Sequence, residues 1–326
     1  MGRLTRVSDS PRELPLIQTI TLNTALDRTL EIPGFAVGQV ASASLIAEQP
    51  AGNGINVSRC LSAYGVDSVL TGFVGSLEVP LYHSSFRDTK AQPMLVPVSG
   101  RTRFDTTILD PKEGTETHIR EKGFQIVDTD LMKLETVLDR MVDPDDIVAV
   151  CGSLPPGITP EQFARLIKQC IDKPARVVVD TSGQALKAAA GMQPYMIKPN
   201  VTELQDLVDM ELGEPLEIAE AALSLTPGIE VVLVSLGKDG ALLVKDGRAW
   251  HGVCPLDQEK VVNTVGCGDA MVAGFLAGLG KEQPEPEILA LAVAFGTAAA
   301  LSQTAGTICR DEVDDLLKQA TVEEMA

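Results

Sequence analysis

The stretch Val261-Val-Asn-Thr-Val-Gly-Cys-Gly-Asp-Ala-Met-Val-Ala-Gly-Phe-Leu-Ala-Gly-Leu279 decides how the rest of the chain is read. A β-branched run leads into Thr264-Val-Gly-Cys-Gly-Asp269, and an apolar helix of small residues follows. Gly266 and Gly268 allow a tight turn that exposes N–H groups at a helix start, where a phosphate or a developing negative charge is held. Gly266, Cys267 and Gly268 would form that cradle from backbone alone. Asp269 falls in the first helical turn. A carboxylate there serves either as a general base or as an acid that caps the helix and matches its dipole. The dinucleotide fingerprint fits less well, because its third Gly is Met271 and the segment lies near the C-terminus. No G-x-x-x-x-G-K-[ST] run occurs, which excludes a P-loop.

Working outward, apolar β-branched runs alternate with helical patterns. Strands are expected at Ile17–Leu22, Val69–Val74, Ile147–Cys151, Val177–Asp180, Tyr195–Lys198 and Val231–Ser235. Helices are expected at Ile55–Tyr64, Pro160–Ile171, Ala185–Ala190, Thr202–Val208 and Leu216–Leu223. Several of the strands lack in/out alternation, as strands covered on both faces do. That order argues a parallel sheet with helices on both sides. The run Ile288–Leu301 is too short to span a bilayer and reads as a buried helix. Two polar, β-leaning stretches, about 28–46 and 95–121, break the pattern. They read as a small antiparallel sheet inserted into the main fold, or as long surface loops.

Composition narrows the function classes. The chain has 326 residues, enough for two ordinary domains or one large α/β unit, and carries a net charge of −18. Such acidity repels polyanions, so nucleic acids and anionic membranes are poor partners, although a local cradle can still bind a small anion. Aromatic residues are only 4%, which disfavours a base-stacking surface. Between Lys198 and Lys238 there are acids but no basic residue, which reads as a solvated helical face. The six cysteines form no C-x-x-C pair and the three histidines are isolated, so reduced thiols in a cytoplasm are expected, with no zinc site. The first residues show neither an apolar signal core nor a myristoylation pattern, since Arg6 breaks the latter.

A second glycine-rich turn, Pro50-Ala-Gly-Asn-Gly-Ile-Asn-Val-Ser58, opens the first helix. Gly52 would let a substrate approach the backbone, and Asn56 can both donate and accept hydrogen bonds; a plain helix-capping turn is the alternative. With Thr21-Leu-Asn-Thr-Ala-Leu-Asp27 the pattern becomes specific. The chain resembles the PfkB branch of the ribokinase-like carbohydrate kinases, within it the 1-phosphofructokinase and tagatose-6-phosphate kinase group. The likeness runs from about Thr19 to Gly306. It includes, in the family's order, Gly72-Phe-Val-Gly75, Gly100-Arg-Thr-Arg103, Cys151-Gly-Ser-Leu-Pro-Pro-Gly157, Ile197-Lys-Pro-Asn-Val-Thr-Glu203, Val234-Ser-Leu-Gly-Lys-Asp-Gly240 and Thr264–Asp269.

The resemblance implies one ribokinase-like domain over residues 1–326. Its fold would be a three-layer α/β/α sandwich with a mostly parallel central sheet and a small β-sheet lid formed by 28–46 and 95–121. It implies an ATP- and Mg2+-dependent sugar-phosphate kinase, with a monovalent cation such as K+ as a further candidate cofactor. Asp269 would take the proton from the attacking hydroxyl, while Gly266, Cys267 and Gly268 hold the transferring phosphoryl group. Cys267 stands where the family usually has Ala. On the acceptor side it implies Asp27, Gly52, Asn53, Asn56, Arg103 and Ser153, with Arg120 and Lys122 as further cations or as solvated surface charge. On the nucleotide side it implies Lys198, Asn200, Glu203, Ser235, Gly237, Gly240 and Ser302, with Asn200 and Glu203 organising Mg2+ through water. Asn53 replaces the Lys common in the nearest relatives, which removes a cation and leaves an unphosphorylated sugar or nucleoside as an alternative acceptor. Residues 76–92 depart from the family's usual helix start. A homodimer joined lid to lid would cover the exposed lid edge. A non-catalytic sugar or nucleotide sensor on the same fold is the reading from another class.

Overall fold

A computed structural model describes residues 15–325, so the expectations about a leader or lipid signal lie outside the described residues. The strands in chain order are β1 (Ile17–Thr21), β2 (Ala25–Glu31), β3 (Ser44–Ala51), β4 (Ser68–Gly75), β5 (Ala91–Pro93), β6 (Val96–Val98), β7 (Arg103–Asp110) and β8 (Thr115–Arg120). They continue with β9 (Ile147–Cys151), β10 (Arg176–Asp180), β11 (Met196–Ile197), β12 (Val231–Ser235), β13 (Ala241–Lys245), β14 (Arg248–Val253) and β15 (Thr321–Met325). The large sheet runs β15-β14-β13-β12-β11-β10-β9-β1-β4-β5, with β6 also on β4. From β12 through β9 and β1 to β5 every pairing is parallel, and β12 to β15 are antiparallel.

Each central strand feeds two cores. Ile147, Ala149 and Cys151 of β9 pack on one face with the helices Asn53–Tyr64, Cys267–Leu279 and Glu285–Ala300. Val148 and Val150 pack on the other with the helices Asp128–Met141, Pro160–Ile171 and Gly183–Ala190. Alternate side chains of a strand point to opposite faces, so a strand buried on both reads as a continuous apolar run. The α/β/α sandwich is therefore as expected.

The lid is a separate four-stranded sheet, ordered β3-β2-β7-β8. It differs from the expectation in two ways. Its segments are Ala25–Ala51 and Arg103–Arg120, and residues 96–98 form β6 on the main sheet instead. Val96 and Val98 alternate inward onto the core, which a polar-looking neighbourhood had hidden. The outer pairings β2–β3 and β7–β8 are antiparallel, but the central pairing β2–β7 is parallel. The departure at residues 76–92 forms the helix Val79–Ser85, preceded by a buried Glu78. The Glu78 carboxylate accepts from Arg101 Nε (2.7 Å) and the Thr102 N–H (3.1 Å), fixing the approach to β7.

Candidate active site

The parallel strands end together, and the expected residues gather at their C-terminal edge, where open α/β sheets bind ligands. After β1 the chain turns through Asn23 into β2, which carries Asp27. Cys151 of β9 is followed by Gly152 and Ser153, Asp180 ends β10, Lys198 follows β11, and Ser235 ends β12. The helix Cys267–Leu279 points its N-terminus at the same place, with Gly266 in the left-handed region at φ 82°. A Cβ on Gly266 would run into the backbone N of Gly306, so only glycine fits. The helix's own bonding begins with Ala270 N–H to Gly266 C=O (2.9 Å), leaving the preceding first-turn N–H groups outside the ladder.

Asp269 is buried at 5% exposure. Its carboxylate accepts from Asn56 Nδ2 at 2.8 Å. Burial and, next, the neighbouring Asp180 push its pKa up from 3.8 to about 7, against the hydrogen bonds from Asn56 and Asn53 and the charge of Lys198. A general base poised near neutrality is suited to taking a proton at physiological pH. This is more than a surface helix cap requires.

Lys198 is also buried and pairs with Asp180 at 3.0 Å. A Cβ placed on Gly268 would lie 3.5 Å from Lys198 Nζ, so the ammonium sits beside the helix N-terminus. Amide N–H groups and a buried cation together make an anion cradle. Asn200 and Glu203 form a reciprocal capping box on the helix Val201–Val208. Asn200 Oδ1 accepts from Glu203 N–H, and Glu203 Oε2 accepts from Asn200 N–H, both at 2.9 Å. Ser235 is tied to the same turn through its N–H to Pro199 C=O (3.0 Å). Gly237 opens the short helical turn Gly237–Asp239, and Gly240 closes it against Gly252 of β14. Ser302 Oγ donates to Thr304 C=O (3.1 Å) in the loop that leads to Gly306.

The residues expected on the acceptor side lie on the lid and on the turns beside it. Asp27 lies beside Asp105 in the β2–β7 register, and Arg120 lies beside Asp105 in the β7–β8 register. Arg103 Nη1 donates to Asp105 Oδ1 at 2.6 Å, whereas its buried Nε has no hydrogen-bond partner among the described residues. Burial, then the Asp105 charge, raise Asp27 to about 6. Asn23 Nδ2 donates to Ser153 Oγ at 3.2 Å, and the buried Asn23 Oδ1 has no hydrogen-bond partner among the described residues. Gly52, at a φ of +120°, is pressed against the Thr21 side chain and the Thr24 backbone, so the fold also requires that glycine. Asn53 reaches Asp269 and flanks Gly152, so it belongs to the surroundings of that carboxyl. Lys122 is exposed, and no contact of its side chain joins it to this cluster among the described residues.

Sequence reasoning did not single out Arg59, Asp105, Asp180 or Asn23. Arg59 stands three residues after Asn56 on one helix face, and Asp180 ends an expected strand, so both had a positional signal. Among the described residues the Cys267 thiol has one hydrogen-bond partner, Asn263 C=O at a loose 3.8 Å, and burial pushes it up to about 11, so it is no thiolate nucleophile.

The profile of the pfkB family carbohydrate kinases matches residues 21–312. This chain belongs to that family. It is 34% identical to the 1-phosphofructokinase of Bacillus subtilis over 94% of this chain and 99% of that protein. It is 32% identical to a tagatose-6-phosphate kinase of Staphylococcus epidermidis over 95% of this chain and all (100%) of that one. Among solved structures, phosphofructokinase-2 from Escherichia coli in complex with potassium superposes with a TM-score of 0.88 at 28% identity, covering 94% of this chain and 99% of that one. As a pfkB carbohydrate kinase the chain is a phosphotransferase with a hydroxyl acceptor.

Proposed function

We propose that the protein transfers the γ-phosphate of ATP to a hydroxyl of a phosphorylated ketohexose, most like 1-phosphofructokinase, which converts fructose 1-phosphate to fructose 1,6-bisphosphate. The observation that carries this is Arg103. A guanidinium with one buried donor still unpartnered lies on the lid, two residues from the carboxylate that flanks Asp27. Such a group meets the oxygens of a phosphate bidentately, and against a net charge of −18 a local cation favours a phosphorylated acceptor. The names of the relatives, 1-phosphofructokinase and tagatose-6-phosphate kinase, support the same substrate class.

In this reading the whole chain works as one domain. Asp27, with Asn23 and Ser153, orients the sugar hydroxyls, and Arg103, seconded by Arg120, holds the sugar's own phosphate. Asp269 draws the proton from the attacking oxygen. The N–H groups around Gly266, Cys267 and Gly268, with Lys198, hold the charge that spreads over the transferring phosphoryl group. The turn of Ser235, Gly237 and Gly240, with Ser302 nearby, seats the nucleotide. Mg2+ neutralises phosphate charge when bound, and its preference for water and phosphate oxygens matches a site where the cap occupies only one Glu203 oxygen, Oε2. Asn200 and Glu203 would order that water shell. The lid closes over the sugar and excludes water that would otherwise accept the phosphoryl group.

The deciding assay is ADP release from Mg-ATP against ketohexoses, nucleosides, fructose 1-phosphate, fructose 6-phosphate and tagatose 6-phosphate, with Asp269→Asn alongside. Turnover on a phosphorylated ketohexose that the variant loses is the expected result. Turnover confined to free sugars or nucleosides would overturn the acceptor class. Replacing K+ by Na+ in the same assay tests a monovalent-cation requirement.

The lid exposes Leu45 and Ile46 on β3 and Ile119 on β8, and β3 and β8 are its two edges. This supports a homodimer joined through the lid in a cytoplasmic enzyme. A structure of the Escherichia coli phosphofructokinase-2 is described as a tetrameric inhibited form, so light scattering should be run at low and at high protein concentration to separate dimer from tetramer. A monomer in both would remove the dimer. Among the described residues no helix is long and apolar enough to cross a membrane.

A further inference from the structure

The helix Asn53–Tyr64 presents Asn56 and Arg59 on one face, three residues apart. Arg59 donates Nη1 to Asn56 Oδ1 at 2.8 Å and Nη2 to the carbonyl of Pro50. A guanidinium carries donors only. The amide atom that meets it must therefore be the oxygen, and the amide nitrogen is turned to the other side. There Asn56 Nδ2 lies 2.8 Å from Asp269 Oδ2. The amide has no room to swing away, because Gly306 covers it so closely that a Cβ there would lie 2.5 Å from Asn56 Cβ. The Gly306 loop is in turn held by Cys60 Sγ on its carbonyl at 3.3 Å.

We propose that Arg59 is a positioning residue for phosphoryl transfer, locking the Asn56 amide so that Asp269 always faces its N–H2 group and never its oxygen. The inference rests on Asp269 being the base of the transfer proposed above. Among the described residues the half-buried Arg59 has no carboxylate at ion-pair distance. Its two acceptors are the amide oxygen and a carbonyl, so its geometry is spent on orientation.

The reason such a lock matters lies in what surrounds Asp269. Asp180 at the end of β10 opposes its ionisation, while Lys198 after β11 and the amides of Asn53 and Asn56 favour it. Arg59 and Cys60 on the helix Asn53–Tyr64, Cys151 on β9 and Cys267 on its own helix also lie within electrostatic range. The carboxyl sits at about 7. At that balance, an amide that turned its oxygen to the carboxylate would leave the base protonated at neutral pH.

The test compares Arg59→Met, Arg59→Lys, Asn56→Ala and the double variant Arg59→Met/Asn56→Ala. The first readout needs no substrate. The Asp269 carboxyl 13C signal, assigned by its loss in Asp269→Asn, is titrated in protein labelled at aspartate carboxyls. The second is the pH profile of kcat. In Arg59→Met both midpoints are expected to rise by about one pH unit. The ionised fraction at pH 7 then falls from about a half to about a tenth, so kcat drops roughly five-fold there and recovers by about pH 9. KM for ATP stays unchanged. Arg59→Lys keeps the charge without the two-pronged fork, and is expected to show the same shift. In the Asn56→Ala background, Arg59→Met adds nothing, as for two groups acting in series. An unshifted titration in Arg59→Met, full rescue by Lys, or additive shifts in the double variant would each overturn the proposal. Should Arg59→Met not accumulate folded, the Lys variant decides alone, and an unshifted titration there overturns it. Wild-type protein that turns over no acceptor would instead overturn the kinase reading, while the carboxyl titration still reads the lock.

Discussion

Asp269→Asn is expected to cut turnover by orders of magnitude and, at the same time, to stabilise the fold, more so as the pH rises. The Asp269 carboxyl is raised from 3.8 to about 7 by burial first and by Asp180 second. A carboxyl that binds its proton more tightly folded than unfolded favours the fold below the unfolded value. That contribution is lost as the pH climbs from about 4 through about 7. A shift of about three units, at 1.36 kcal/mol each, corresponds to about 4 kcal/mol withheld from the native state at pH 8. At pH 5 a little over one unit of that interval has been crossed, so the penalty is between about 1 and 2 kcal/mol. Asparagine carries no charge to bury, and its amide oxygen can accept the Asn56 N–H2 that now meets the carboxylate at 2.8 Å. With an unfolding entropy of about 2 cal/mol/K per residue, a chain of this length should melt roughly 6 °C higher at pH 8 and no more than roughly 3 °C higher at pH 5. Loss of the base should lower kcat by about 10²–10⁴. The assay is scanning calorimetry of both proteins at the two pH values beside ADP release. A gain in Tm that is absent at pH 8, or no larger there than at pH 5, would refute the account of Asp269 as a carboxyl held near neutrality by burial.

Three further outcomes follow from the same geometry. Lys198→Met strands the Asp180 carboxylate, now 3.0 Å from the ammonium, in a buried site; it should cost about 3–5 kcal/mol in chemical denaturation and raise KM for ATP, and an unchanged midpoint would contradict the ion pair. Arg103→Met removes a charged donor worth about 1.5–3 kcal/mol, so KM for the phosphorylated acceptor should rise roughly 10–100-fold while KM for ATP holds; equal effects on both substrates would take Arg103 out of the acceptor site. Gly306→Ala places a methyl 2.5 Å from Asn56 Cβ at a φ of +60°; kcat should fall with its acid limb moved upward, at a strain of about 1–2 kcal/mol, and wild-type kcat and Tm would argue against the packing described.

Much of the architecture was legible locally. Ile147–Cys151 and Val177–Asp180 are too apolar throughout to be half-exposed, which specifies strands covered on both faces. Thr264–Asp269 reads as a glycine turn entering a helix because few other residues tolerate a left-handed turn residue. Residues 95–102 were misplaced because a short Val-Pro-Val strand has the same period whichever sheet it joins. The parallel β2–β7 pairing was equally invisible, since register between distant segments leaves no local mark.

The sequence by itself determined the family, the strand order's raw material, and the identity of Asp269, Lys198, Asp27 and Arg103 as the groups to watch. Only the tertiary structure decided what those groups can do. Asn56 meets Asp269 across 213 residues of chain, and Asp180 reaches Lys198 from a neighbouring strand end. Basicity and anion affinity come from burial and from charges brought together by such long-range contacts. Turn sterics and periodicity act over a few residues, so the sequence displays them directly, whereas the electrostatic environment of a carboxylate exists only once the chain has folded around it.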